Sequence, residues 1–195
     1  MQEWEELLAR AEGGDRTAQV RLADCYAQGR GVERSPVQAA AWLRRAAEQG
    51  SPEGQSIFGF CCLEGFGVEK DADQAAAWFR KSAEQGCSEG WFGLAICYFS
   101  GAGTEQNRTA ADLCRCAAEQ GHVKAMIRLG ACCLEGRGTA RDLGAAEDWL
   151  CRAIKTGDAQ GWKDKLDRTQ ALRLLAEAFY ARYTAGETKS QAEER

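Results

Sequence analysis

The chain has almost no proline, almost no histidine and little charge of one sign. Its 195 residues include two prolines and one histidine, and the formal net charge is −4. Each shortage excludes something. A single histidine, His122, leaves no second imidazole for a histidine-based base and orienter. The small negative balance gives no cationic footprint of the kind that phosphate-rich partners require, which argues against nucleic acid. No apolar run approaches the length of a membrane span. The opening Met1-Gln2-Glu3-Trp4-Glu5-Glu6 carries neither the basic nor the apolar region of a secretory leader, so a cytoplasmic setting is expected. Ser-x-x-Lys, His-Glu-x-x-His and Cys-x-x-Cys are all missing. With no nucleophile or metal motif, the expectation is a protein that is not an enzyme and needs no cofactor or metal.

What is abundant is glycine and cysteine, at 22 and 10 residues. The glycines recur. Gly29-Arg30-Gly31, Gly65-Phe66-Gly67, Gly101-Ala102-Gly103 and Gly136-Arg137-Gly138 are spaced by 36, 36 and 35 residues. Gly50, Gly86, Gly121 and Gly157 follow at 36, 35 and 36. A fixed period of this size marks a solenoid, in which each unit buries its apolar face only against its neighbours. The Gly-x-Gly corners follow helical segments rather than strands, so they are not dinucleotide or phosphate loops.

Each unit reads as two helices. In the first, Ala18, Leu22, Cys25, Tyr26 and Gly29 fall on one helical face of helix A. Helix B opens in turn at Ser35, Asp71, Asn107 and Asp142, each a strong N-cap residue. Trp42, Trp78 and Trp149 fill its inward face, with Leu113 in their place in the third unit, which is one residue short. Cys25, Cys61, Cys97 and Cys132 share a phase. Equivalent points on successive packed helices lie about 8–10 Å apart, beyond disulfide reach, so these four read as small buried hydrophobes. The redox states of Cys87, Cys114, Cys116 and Cys151 stay open. A solenoid over 1–165 is expected, with a half-repeat at 1–15 and repeats at about 16–51, 52–87, 88–122 and 123–158. Residues 166–184 should form a capping helix, with Leu172, Leu175, Ala176, Phe179 and Tyr183 on one face. Residues 185–195 are polar and expected to be disordered.

The recurring Leu-Gly/Ala-x-x-Tyr-x-x-Gly-x-Gly-Val…Ala-x-x-Trp-Phe/Leu-Arg-Lys/Arg-Ala-Ala-Glu-Gln-Gly pattern is fullest over residues 58–86. It resembles the Sel-one-like repeat (SLR) family, a relative of the tetratricopeptide repeat. That resemblance implies an all-α, right-handed α/α superhelix whose members mostly act as adaptors in signalling and assembly. Cys62 and Cys133 stand where the family usually has tyrosine. A cysteine-rich bacterial branch joins helix B to the next helix A by disulfides. The matching positions here are Ala47 with Gln55, Ala83 with Trp91 and Ala118 with Met126, so that framework is absent and the branch's link to β-lactam binding transfers poorly.

By phase with tetratricopeptide arrays, the concave groove would be lined by Val20, Asp24 and Ala27; Ser56, Phe60 and Leu63; Phe92, Ile96 and Phe99; Ile127, Ala131 and Leu134. Gln28, Glu64, Ser100 and Glu135 flank it. The apolar stripe suggests a site for a peptide or protein partner, with Glu64 and Glu135 favouring a basic flank. Three alternatives stay open at this point: burial of the stripe by tight curvature, filling by the C-terminal helix, and self-association into a weak homodimer. On helix B, Arg44, Arg80 and Arg115 stand four residues before Glu48, Glu84 and Glu119, which reads as a solvated outer ridge.

Overall fold

The structure, a computed structural model, describes residues 2–100, 104–162 and 164–193, with side chains described over 4–100, 106–162 and 164–184. The described residues form ten α-helices and no strand. They fall into two compact units, Met1–Cys97 and Tyr98–Arg195. The third Gly-x-Gly corner, Gly101 to Gly103, lies outside the described residues.

The first unit contains α1 (Gln2–Glu12), α2 (Arg16–Gln28), α3 (Pro36–Glu48), α4 (Pro52–Glu64), α5 (Ala72–Glu84) and most of α6 (Ser88–Phe99). Sequence chemistry sets the boundaries. Ser35 and Asp71 sit at the N-caps of α3 and α5 in extended backbone, and their side chains accept from the N–H groups of Gln38 and Gln74. Gly29 and Gly65 end α2 and α4 in the left-handed region at φ 72° and 77°. The second corner glycine has a separate task. A Cβ on Gly67 would fall 2.0 Å from the carbonyl oxygen of Pro36, so this corner is seated directly on the start of the preceding helix B. Gly138 sits on Asn107 in the same way.

Side-chain amides tie successive hairpins together. Gln55 Nε2 donates to the Ala47 carbonyl at 3.2 Å, and Gln19 Nε2 donates to the Ala11 carbonyl at 3.0 Å. Both span eight residues, so α1 presents its last turn to α2 as α3 does to α4. Unpaired carbonyls at a helix C-terminus are thereby satisfied in a dry interface. Phe79 fills the centre of this unit. It is fully buried, and Gly59 on α4 and Gly93 on α6 leave room for its ring.

The second unit contains α7 (Thr104–Glu119), α8 (Val123–Glu135), α9 (Leu143–Gln160) and α10 (Lys165–Glu193). Here the structure departs from expectation at Asn107, along 185–193 and on the face of α10. Asn107 is not an N-cap: α7 begins at Thr104, so Asn107 lies within its first turns and its side chain accepts from Arg137 at 3.2 Å. The missing residue of the third unit is absorbed by starting the helix earlier. Gly157 does not stop α9, which runs on to Gln160; Gly157 is buried under the Trp162 indole, where a Cβ would lie 2.5 Å from ring carbons. Helix also extends beyond the expected cap into 185–193, a stretch with no proline and several strong helix formers.

α10 runs parallel to α8, as a helix A would. Asp167 near its start pairs with Lys124 near the start of α8 at 3.6 Å, while Ala178 packs with Cys133 and Leu134 at the end of α8. Its buried face is Ala171, Leu174 and Ala178 rather than the expected one. Leu172, Phe179 and Tyr183, from the expected apolar face, are exposed along with Tyr180. Arg182 donates to Glu147 Oε2 at 2.7 Å and locks α10 to α9.

Candidate functional site

The A helices α2, α4, α6 and α8 place the groove residues, and the structure sorts them by turn. The first-turn members are inside: Val20, Ser56, Phe92 and Ile127 are all buried. Phe92 and Ile127 therefore contribute to packing and offer no surface to a partner. The members one and two turns later reach the edge of the core. Phe60, Leu63, Ile96, Phe99 and Leu134 are half-buried, while Glu64 and Glu135 are exposed.

In the first unit these later positions open into a cleft of about 420 Å³ between α2 and α4. Val20, Ala27, Leu43, Ile57, Phe60 and Phe66 give it an apolar lining. Phe60 is held in place by an edge-to-face contact with Phe79, ring centres 4.7 Å apart. Arg21, Asp24, Glu53 and Glu64 bring charge to the same cleft. Asp24 is already engaged by Arg30 and by Gln28. Ile57 and Glu53 were not among the expected site residues. The signal was present: 53, 57, 60 and 64 recur at i, i+4, i+7 and i+11, the spacing of one helix face.

The second unit treats the same positions differently. Phe99 lies under two guanidinium groups, Arg128 at 5.7 Å and Arg137 at 5.3 Å from its ring centre. Arg137 also donates to the Phe99 carbonyl at 3.2 Å. The face that reads Glu53-Ile57-Phe60-Glu64 on α4 reads Lys124-Arg128-Ala131-Glu135 on α8. Beside this unit's part of the stripe, the α8 face is cationic where the α4 face carries Glu53 and Ile57.

The outer ridge is built on rings as well as on ion pairs. Arg45, Lys81 and Arg152 lie 4.5, 4.2 and 4.5 Å from the ring centres of Trp42, Trp78 and Trp149, each three residues earlier on the same helix. Arg44 pairs with Glu48 at 2.8 Å, whereas Arg115 turns to Asp112 at 3.2 Å instead of Glu119. His122 has a structural task. Its Nδ1 accepts the Ala125 N–H at 3.1 Å and caps α8, in the phase where Ser51 caps α4.

All ten cysteines are free thiols. Cys61 and Cys132 are buried as expected from their phase, while Cys25 and Cys97 are half-buried. Burial pushes the Cys61 and Cys132 thiols up to about 11 and Cys114 up to about 12, which disfavours thiolate chemistry at all three. Among the described residues no group of three or more His, Cys, Asp or Glu side chains could hold a metal ion. No described helix is long and apolar enough to cross a membrane.

Comparison with known proteins adds family to geometry. The Sel1 repeat model matches residues 17–51, 52–87, 91–122 and 123–158. A protective antigen of uropathogenic Escherichia coli with an SLR fold is 30% identical at TM-score 0.70, over 88% of this chain and 40% of the antigen. The chain thus spans less than half the length of that antigen. A Sel1 repeat protein from Oxalobacter formigenes is 25% identical at TM-score 0.73, over 88% of this chain and 74% of that one. A Klebsiella pneumoniae Sel1 repeat protein is 21% identical at TM-score 0.61, over 97% and 98%, and shares the fold. No curated protein sequence matches the chain significantly. With four repeat matches covering well over half its length, the chain belongs to the Sel1 repeat family, as an all-α repeat solenoid.

Proposed function

We propose that the chain is a non-enzymatic interaction scaffold whose first unit takes an apolar segment of a protein partner in the cleft between α2 and α4. The observation that carries this reading is Phe60. It is a half-buried aromatic ring that lines the cleft, packed edge-to-face on Phe79, with the small side chains of Ala23 and Ala27 also in the lining. A preformed concave apolar site with a few charged groups at its edge is the usual form of a recognition pocket. Members of this family commonly serve as protein-interaction scaffolds, which agrees with the site. Neither a nucleophile motif nor a described metal cluster supports the β-lactam-associated alternative.

The test is capture from the source organism's lysate with wild type and with Phe60→Asp, both checked for helical content by circular dichroism. A protein retained by wild type and lost by the folded variant supports the reading. Equal retention by both contradicts it.

A further inference from the structure

We infer that the partner segment seated in this cleft carries two basic side chains flanking an apolar one, all on one face of an extended chain with the basic pair about four or six residues apart. The inference rests on the cleft being an interaction site and specifies what it selects.

Four residues on one face of α4 line the cleft in the order Glu53, Ile57, Phe60, Glu64. An acidic group thus stands at each end of an apolar pair. Both carboxylates are exposed, and neither is ion-paired among the described residues. They differ in this from Asp24 on the opposite wall, which Arg30 already neutralises. Among the described residues lining the cleft, Arg21 is the one cation, against three carboxylates. Eleven residues of α-helix separate Glu53 from Glu64, a rise of about 16 Å. An extended peptide covers that distance in about five residues, and because alternate side chains face opposite sides, a separation of about four or six puts both basic groups on the cleft side.

The cleft, at about 420 Å³, holds side chains, so the guest's backbone lies across its mouth, and the form proposed for it is extended. A Lys or Arg at each end would lay its aliphatic stem along Ile57 or Phe60 and bring its charge to Glu53 or Glu64. Charge matching of this kind sets partner choice and register more than raw affinity. The α8 face, with Lys124 and Arg128 at the positions of Glu53 and Ile57, would repel such a segment. The preference therefore belongs to the first unit.

Selection of a random dodecapeptide display library on the full chain tests this. Wild type, Phe60→Asp and the charge variant Glu53→Gln/Glu64→Gln are screened in parallel. Because Glu53 and Glu64 are exposed, the charge variant keeps the fold even where Phe60→Asp does not; Ile57→Ser is the second cleft variant. The expected result is that wild type enriches peptides with basic residues about four or six apart and an apolar one between them on the same face. Phe60→Asp and Ile57→Ser should lose these peptides. The charge variant should bind them about tenfold more weakly at low salt, with little difference at high salt. Peptides that depend on Phe60 but show no basic enrichment, or that bind the charge variant equally, overturn the inference and leave the cleft reading standing. Binding indifferent to Phe60 and Ile57, or no enrichment at all, overturns both.

Discussion

The ring of Phe79 occupies the space where residue 93 would otherwise carry a side chain: a Cβ there would lie 2.3 Å from two ring carbons. Position 79 is Leu43 in the first repeat, Cys114 in the third and Leu150 in the fourth. The larger ring is therefore matched by a glycine on each side, Gly59 on α4 and Gly93 on α6. Gly93→Ala should destabilise the chain by about 1–3 kcal/mol through overpacking. Adding Phe79→Leu should recover most of that loss. Urea unfolding of the two single variants and the double variant measures the coupling, and strict additivity would contradict the packing.

The two faces of α10 should respond in opposite ways. Leu174 lies on the buried face of α10, so Leu174→Ala is expected to cost about 2–4 kcal/mol. Phe179 is 53% exposed, and Phe179→Ala should change stability by no more than about 0.5 kcal/mol. Thermal melts of both variants decide the matter. The reverse ranking would put the apolar face of the helix back into the core.

These elements show how much the sequence revealed. Period, caps and corners were legible because each depends on residues within a few positions: Ser35, Asp71 and Asp142 cap as their chemistry dictates. Asn107 misled because the same cap chemistry was read from the corner, whereas the deletion shifted the helix start. The face of α10 was misread for a different reason. Small residues at 171 and 178 allow close helix approach, and close approach won over the larger apolar surface of Phe179 and Tyr183. At the site, phase set which A-helix residues form the stripe but could not show depth. Whether position 92 lies under its neighbours and position 60 at their edge depends on contacts many residues apart.

Arg182 should matter more than an ordinary surface arginine. Its partner Glu147 is only 8% exposed, and among the described residues Glu147 Oε1 has no hydrogen-bond partner, so the 2.7 Å bond from Arg182 to Oε2 is the main compensation for burying this carboxylate. Arg182→Ala should destabilise by about 2 kcal/mol. Chemical denaturation of Arg182→Ala in the Glu147→Leu background should show a much smaller effect, because no buried charge is then abandoned.

The buried thiols give a pH signature. Cys61, Cys114 and Cys132 titrate above their ordinary value of 9.0 because burial favours the neutral form. The unfolded chain releases those protons first as pH rises. The stabilising contribution is therefore complete below about pH 9 and lost progressively towards pH 12. Denaturation midpoints should fall over that window and fall less in Cys114→Ala. Alkylation with iodoacetamide at pH 8 followed by mass mapping should modify exposed Cys116 well before Cys114.

The central claim, that the α4 face of the first unit receives a partner, is tested most directly by site-specific photo-crosslinking. Benzoylphenylalanine is placed at position 60 in one chain and at exposed position 80 on the outer side of α5 in another. The account predicts a discrete crosslinked partner from position 60 and none from position 80. Crosslinking from position 80 alone, or equally from both, would contradict it.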